Sequence, residues 1–225
     1  MGTTEDKLNA IASSKAAIKS AIQAKGVSCD DVLSGYAARI KSIQTATVLP
    51  NGTKFRSSTA THFPTLKFEG LTNCASMFYD CQDLIDIEGI DNTANVTDMS
   101  NMFYSDIALV SVPEMNTAKV TNVLNMCYGC AALVNVPVSG SLDFGAVTNA
   151  NNAFTGCKAL SYARIDNVGC DLNLTDCPLD ADSLDYVLSH LKEVTGKTLT
   201  LGETNLAKVT EAQKTAATAK GWTLA

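Results

Sequence analysis

The residues of this chain best suited to chemistry are its eight cysteines, its two histidines and a run of closely spaced carboxylates. Cys127-Tyr128-Gly129-Cys130 has the C-x-x-C spacing of a dithiol redox pair or half a zinc site. A zinc site needs further ligands, and His62 and His190 are distant in sequence from this pair and from each other. Asp80, Asp83 and Asp86 are close enough to suggest paired acid–base work of the kind that cleaves glycosides. No such pair recurs at a regular spacing, however, which favours solvated surface charge. The chain carries no nucleophile elbow, zincin helix, phosphate loop or dinucleotide fingerprint. The reading is therefore non-enzymatic, with no catalytic residue, no metal ligand and no cofactor expected.

The cysteines make more sense as parts of a repeat. Four copies of one pattern begin at Leu71 (LTNCASMFYDCQDLIDI), Val96 (VTDMSNMFYSDIALVSV), Val120 (VTNVLNMCYGCAALVNV) and Val147 (VTNANNAFTGCKALSYA). The period of 24 to 27 residues is that of stacked repeats, each too small to bury its own apolar face. Cys81, Cys130 and Cys157 share the eleventh position of their copies, as an inward ladder of small apolar groups would. Cys127 falls where the other copies have Phe78, Phe103 and Phe154, so it replaces a core aromatic. Core thiols are thus favoured over redox or metal chemistry, and Asp106 is the one break in the cysteine ladder.

Within each copy the first half reads as a turn with helical or 3₁₀ character and the second half as a strand. The strands would align into a parallel sheet along one face. The expected fold class is an α/β solenoid: a short leucine-rich-repeat array with a parallel sheet, an N-terminal helical hairpin and a helical C-terminal cap. Residues 1–45 form the hairpin unit, an assembly or docking module whose inward or assembly face is Leu8, Ile11, Ile18, Ile22, Leu33, Tyr36 and Ile40. Residues 46–70 are a transitional β segment, 71–169 the four copies and 170–225 the C-terminal repeat cap. In that last part Asp180 or Asp182 caps a helix over 181–194, Thr210 caps another that ends at Gly221, and the only tryptophan, Trp222, closes the array.

Composition narrows the partners. Apolar residues make up 46% and charged residues 18% of the 225, which fits a packed chain and excludes general disorder. A net charge of −6 argues against nucleic acid or an anionic membrane as partner. Neither a membrane span nor an export signal is expected, so the protein would stay in the cytoplasm where it is made or leave by lysis or on a particle. Two rows of side chains are candidate binding surfaces. One is the ninth position, Tyr79, Tyr104 and Tyr128, and the other the strand face, Asp86, Ser111, Asn135 and Tyr162.

The blocks NVTDMSNMFYS, VTNVLNMCYGCAALVNV and VTNANNAFTGCKAL resemble the BspA-like leucine-rich repeats of bacterial surface proteins and mycoplasma lipoproteins. The N-terminal flank KLNAIASSKAAIKSAIQAKGVSCDDVLSGYAARIKSI resembles a module of gut bacteriophage tail and fibre proteins, and the ending LTLGETNLAKVTEAQKTAATAKGWTLA is similar to the closing segment of repeat proteins from those phages and their Bacteroides-type hosts. The resemblance implies a bacteriophage virion appendage, made in the host cytoplasm, whose repeat surface binds a host glycan or protein. It also implies contact with other virion proteins through the N-terminal helices and a homo-oligomer, with a trimer as the guess. A BspA-like cell-surface adhesin and a purely structural virion part, such as a head fibre or connector, are the alternatives.

Overall fold

The computed structural model describes residues 48–225. The chain divides into two units, Met1–Ala46 and Thr47–Ala225. The proposed assembly-face residues Leu8, Ile11, Ile18, Ile22, Leu33, Tyr36 and Ile40 lie outside the described residues.

Two features of each copy set its path. The Asn or Asp at the third position accepts a hydrogen bond at its Oδ1 from the backbone N–H two residues on. This holds for Asn73, Asp98, Asn122, Asn149 and, beyond the copies, Asn173. The short side chain thereby takes the place of a backbone acceptor and pins a tight turn. The sixth residue (Ser76, Asn101, Asn125, Asn152) and the tenth (Asp80, Ser105, Gly129, Gly156) have positive φ, between 52° and 81°. Small polar residues and glycine tolerate that left-handed region. Two left-handed residues four positions apart also forbid a helical run.

The expected α/β solenoid is consequently not what forms. Between residues 71 and 169 the only helical turn is the 3₁₀ segment Thr93–Asn95. No continuous sheet lines one face. Parallel pairing is broken into two-stranded sheets of two-residue strands: β1 (Leu49–Pro50) with β3 (Phe68–Glu69), β2 (His62–Phe63) with β4 (Asp86–Ile87), β5 (Asn135–Val136) with β7 (Tyr162–Ala163), and β6 (Leu142–Asp143) with β8 (Ile165–Asp166). Single bridges such as Asn73↔Asp98, Asp98↔Asn122 and Asn122↔Asn149 join the rest. The described residues form a mixed, β-rich stack.

Successive copies are tied by backbone hydrogen bonds in both directions. Phe78, Phe103 and Cys127 donate to Met102, Met126 and Ala153 at 2.8–2.9 Å, and Thr97, Thr121 and Thr148 donate back to Thr72, Thr97 and Thr121 at 2.9–3.0 Å. Equivalent side chains therefore sit one strand spacing apart. The eighth position forms an aromatic column, with Phe55 on Phe78 at 5.4 Å and Phe78 on Phe103 at 5.5 Å. Met77, Met102, Met126, Leu84, Leu109, Leu133 and Leu160 are fully buried beside it.

Within the β segment expected at 46–70, residues 49–63 add a further layer to the stack. Phe55 donates to Met77 and Ser57 to Tyr79, and Ser57 has the positive φ of the tenth position. Strands alternate with helices in the C-terminal part. It comprises β9 (Leu172–Asn173), α1 (Ala181–Ser189), β10 (Lys197–Thr200), α2 (Gly202–Leu206), α3 (Glu211–Ala219) and β11 (Trp222–Leu224). Strands β11, β10 and β9 form one parallel sheet in that order. Asp180 caps α1 through Ser183, and Thr210 with Gln213 makes a capping box on α3.

Candidate binding surface

The ninth residue of each copy lies between a buried eighth residue and a left-handed tenth one, so its side chain stands outside the core. Tyr79, Tyr104 and Tyr128 come together there as a ladder. Ring centroids are 4.8 Å apart for the first pair and 5.0 Å for the second, with planes within 8° of parallel. Arg56 lies over the free face of Tyr79 at 5.8 Å, and Thr155 follows Tyr128 in the row. The rings are half-buried, and their hydroxyls have no hydrogen-bond partner among the described residues. Because each inner ring face is taken by its neighbour, the ladder offers ring edges and a row of phenol hydroxyls. It has little open face on which a sugar ring could stack.

The strand face is arranged differently. Ser111, Asn135 and Tyr162 stand in one bridged row, whereas Asp86 pairs with His62 at 2.9 Å on the layer before. All four are half-buried. Tyr162 is engaged from above by Arg164 at 4.6 Å, and Arg164 also covers Tyr186 at 4.7 Å. The Tyr186 hydroxyl donates to Asp166 at 2.7 Å, and that bond raises the phenol pKa. Tyr162 thus helps to seat α1 as well as lining the face.

Three residues missed by the sequence reading stand further out: Ile107 at 49%, Val110 at 39% and Ile85 at 37% exposure. Val110 donates to Ile85, and Val134 to Val110, so the fifteenth position forms an aliphatic column. Arg56 was also missed, although Phe55-Arg56-Ser57 parallels Phe78-Tyr79-Asp80 and signals the extra layer. A separate open groove of about 820 Å³ has both polar lining (Asp91, Glu114, Asn116, Asp143) and apolar lining (Ile90, Met115).

The seven described cysteines are all free and buried in the core. The Sγ of Cys81 donates to the Phe55 carbonyl at 2.9 Å, Cys130 to Phe103 at 2.9 Å, Cys157 to Cys127 at 3.1 Å, and Cys177 reaches Phe154 at 3.6 Å. Burial pushes the thiol pKa up, to about 11 at Cys81 and about 12 at Cys74 and Cys177, and raises Cys127 and Cys157 as well. Such thiols are protonated donors rather than nucleophiles at neutral pH. Among the described residues no group of three His, Cys, Asp or Glu side chains is placed to hold a metal ion, and no helix is long and apolar enough to cross a membrane.

A family model described as "Mycoplasma protein of unknown function, DUF285" matches residues 50–167, more than half of the chain. No curated protein matches the chain. No solved structure matches it either.

Proposed function

Since the chain belongs to the DUF285 family of Mycoplasma proteins of unknown function, we propose that it is a non-enzymatic display protein whose repeat face binds a partner at a bacterial surface. The observation that carries this reading is the outward ladder Tyr79–Tyr104–Tyr128, whose hydroxyls have no hydrogen-bond partner among the described residues. Side chains of this kind combine apolar area with a polar tip and dominate binding faces. The exposed Ile85, Val110 and Ile107 add an aliphatic part to the same molecule. A stack whose core is made by equivalent residues leaves its outward positions free to vary, which suits recognition.

The BspA-like character of the copies, and the similarity of the flanks to gut phage fibre modules, support placing the protein on a virion as a tail-fibre or receptor-binding appendage. Its N-terminal residues would contact other virion proteins, and the chain would form a homo-oligomer. Light scattering of the full chain is expected to give the mass of a trimer; a monomer counts against the appendage. The second reading is a BspA-like bacterial cell-surface adhesin, with which a family described from Mycoplasma is compatible. Antibody labelling of intact phage particles and of bacterial cells separates the two.

The binding test is Tyr104→Phe. Tyr104 is stacked on both sides, so its truncation to Ala also removes two ring contacts, about 0.5–1.5 kcal/mol each. Phe keeps the stack and deletes only the hydroxyl. Labelled Tyr104→Phe is expected to bind gut bacterial cells about tenfold more weakly than the wild type, with an unchanged melting temperature. Equal binding would remove the hydroxyl row from the site.

A further inference from the structure

Asp106 occupies the eleventh position, where the equivalent residues Cys81, Cys130 and Cys157 each donate a thiol hydrogen to the carbonyl of the eighth residue one layer before. Cys177 repeats the contact with Phe154. That carbonyl takes two hydrogens in each case, one from the backbone of its own turn and one from the thiol. Phe103 O, for example, receives Asp106 N and Cys130 Sγ. For Asp106 the corresponding carbonyl is that of Phe78, which receives the Cys81 N–H but has no thiol to receive.

The carboxyl is fully buried. Its Oδ1 accepts from the Cys81 N–H at 2.7 Å, while its Oδ2 is enclosed with no partner. A buried carboxylate needs a cation or several donors to offset its lost hydration. Asp106 has one donor. The titratable groups that feel it are Asp80 and Cys81 in the layer before and Cys127 in the layer after, and none of them supplies a positive charge. A neutral acid resolves both oxygens at once, with Oδ1 accepting and Oδ2–H donating as a thiol does.

We propose that Asp106 is a proton-dependent latch between the first and second copies, in which the protonated carboxyl stands in for the missing thiol by donating from Oδ2 to the Phe78 carbonyl. Loss of the proton leaves a bare anion between two layers that face it with an acceptor carbonyl. The contact that opens lies two residues from Tyr104, so the tyrosine ladder loosens with it. Burial pushes the Asp106 pKa up to about 8. A carboxyl whose folded value is raised stabilises the fold fully below its unfolded value, and that stability is lost as pH rises towards the folded value. The window therefore runs from about 4 to about 8.

The test compares denaturant unfolding of the full chain as wild type, Asp106→Asn and Asp106→Cys from pH 5 to 8.5. Asn keeps an acceptor and a donor without titrating, and Cys restores the residue of the other copies. Across this window the wild-type unfolding constant is expected to rise about tenfold per pH unit relative to either variant. A wild-type-to-variant ratio that is constant with pH would overturn the latch. Should neither variant fold, the ¹³C carboxyl resonance of Asp106 in the wild type decides. Titration near pH 8 supports the proposal, and titration near pH 4 overturns it.

Discussion

Phe103→Ala is expected to lower the unfolding free energy by about 3–5 kcal/mol, near the top of the range for a single truncation. The ring is fully buried and stacks on Phe78 at 5.5 Å with planes 8° apart. What decides the size of the effect is whether the walls can move in. Here they are held apart by backbone bonds: Phe78 donates to Met102 and Phe103 to Met126, at 2.9 and 2.8 Å. Layers tied at strand spacing cannot collapse along the stack, so the cavity persists. Phe103→Leu, which refills part of the volume, is expected to cost about 1–2 kcal/mol. Urea unfolding checks both. An unchanged slope with a lower midpoint would show that the stack unfolds as one unit, whereas a reduced slope would show that it splits at the second copy. A loss below about 1 kcal/mol for Ala would mean that the column relaxes and that the ladder is not rigid.

The copies themselves were legible because their core residues recur in register. The Phe and Cys positions read from the sequence as core are buried. Thr210 was legible as a cap, and of the two candidates Asp180 and Asp182 it is Asp180 that caps its helix. The helix after Asp180 stops at Ser189 rather than Val194, because the chain leaves it at His190 to bridge Leu191 to Val168.

The secondary structure of the copies was not legible. Ser76, Asn101 and Asn125 look like ordinary polar residues of an amphipathic turn. In the fold they stand at positive φ, where they prevent the helical side a leucine-rich repeat would have. The layer at 49–63 escaped because it keeps Phe55 but has Arg56 in place of tyrosine and no Leu or Cys ladder residue.

The tyrosine row was legible as a row but not as a stack. The sequence puts three phenols at one position; it does not say that they spend their ring faces on each other. That distinction changes the chemistry offered to a partner from ring faces to edges and hydroxyls. Asp106 was visible only as an exception. Its role needed the thiol-to-carbonyl contacts of its equivalents, which depend on three-dimensional register.

Gly221→Ala is expected to cost about 4 kcal/mol and to unlock the C-terminal end of the stack. Gly221 ends α3 with φ of +86°, donating its N–H to Thr218 at 2.9 Å before the chain enters β11. A left-handed alanine alone costs roughly 1–2 kcal/mol. The larger part is steric: a Cβ here would overlap the Val194 carbonyl oxygen and lie 2.9 Å from its carbon. Both are backbone atoms, held because Val194 donates to Lys220 at 2.9 Å, so no side chain can swing away. Relief requires β11 to shift against β10, which would pull Trp222, only 2% exposed, from its bond to the Lys192 carbonyl.

Gly196→Ala is the control. That glycine has φ of +64° with open space around its missing Cβ, so only the left-handed penalty applies, about 1 kcal/mol. The difference between the two variants isolates the backbone clash from the conformational strain. Fluorescence of the single tryptophan reads it directly, since a red shift at Gly221→Ala and none at Gly196→Ala would place the damage at β11. Equal melting temperatures for the two would mean that the strand yields without loss, and that Trp222 is a passenger rather than the closure of the last layer.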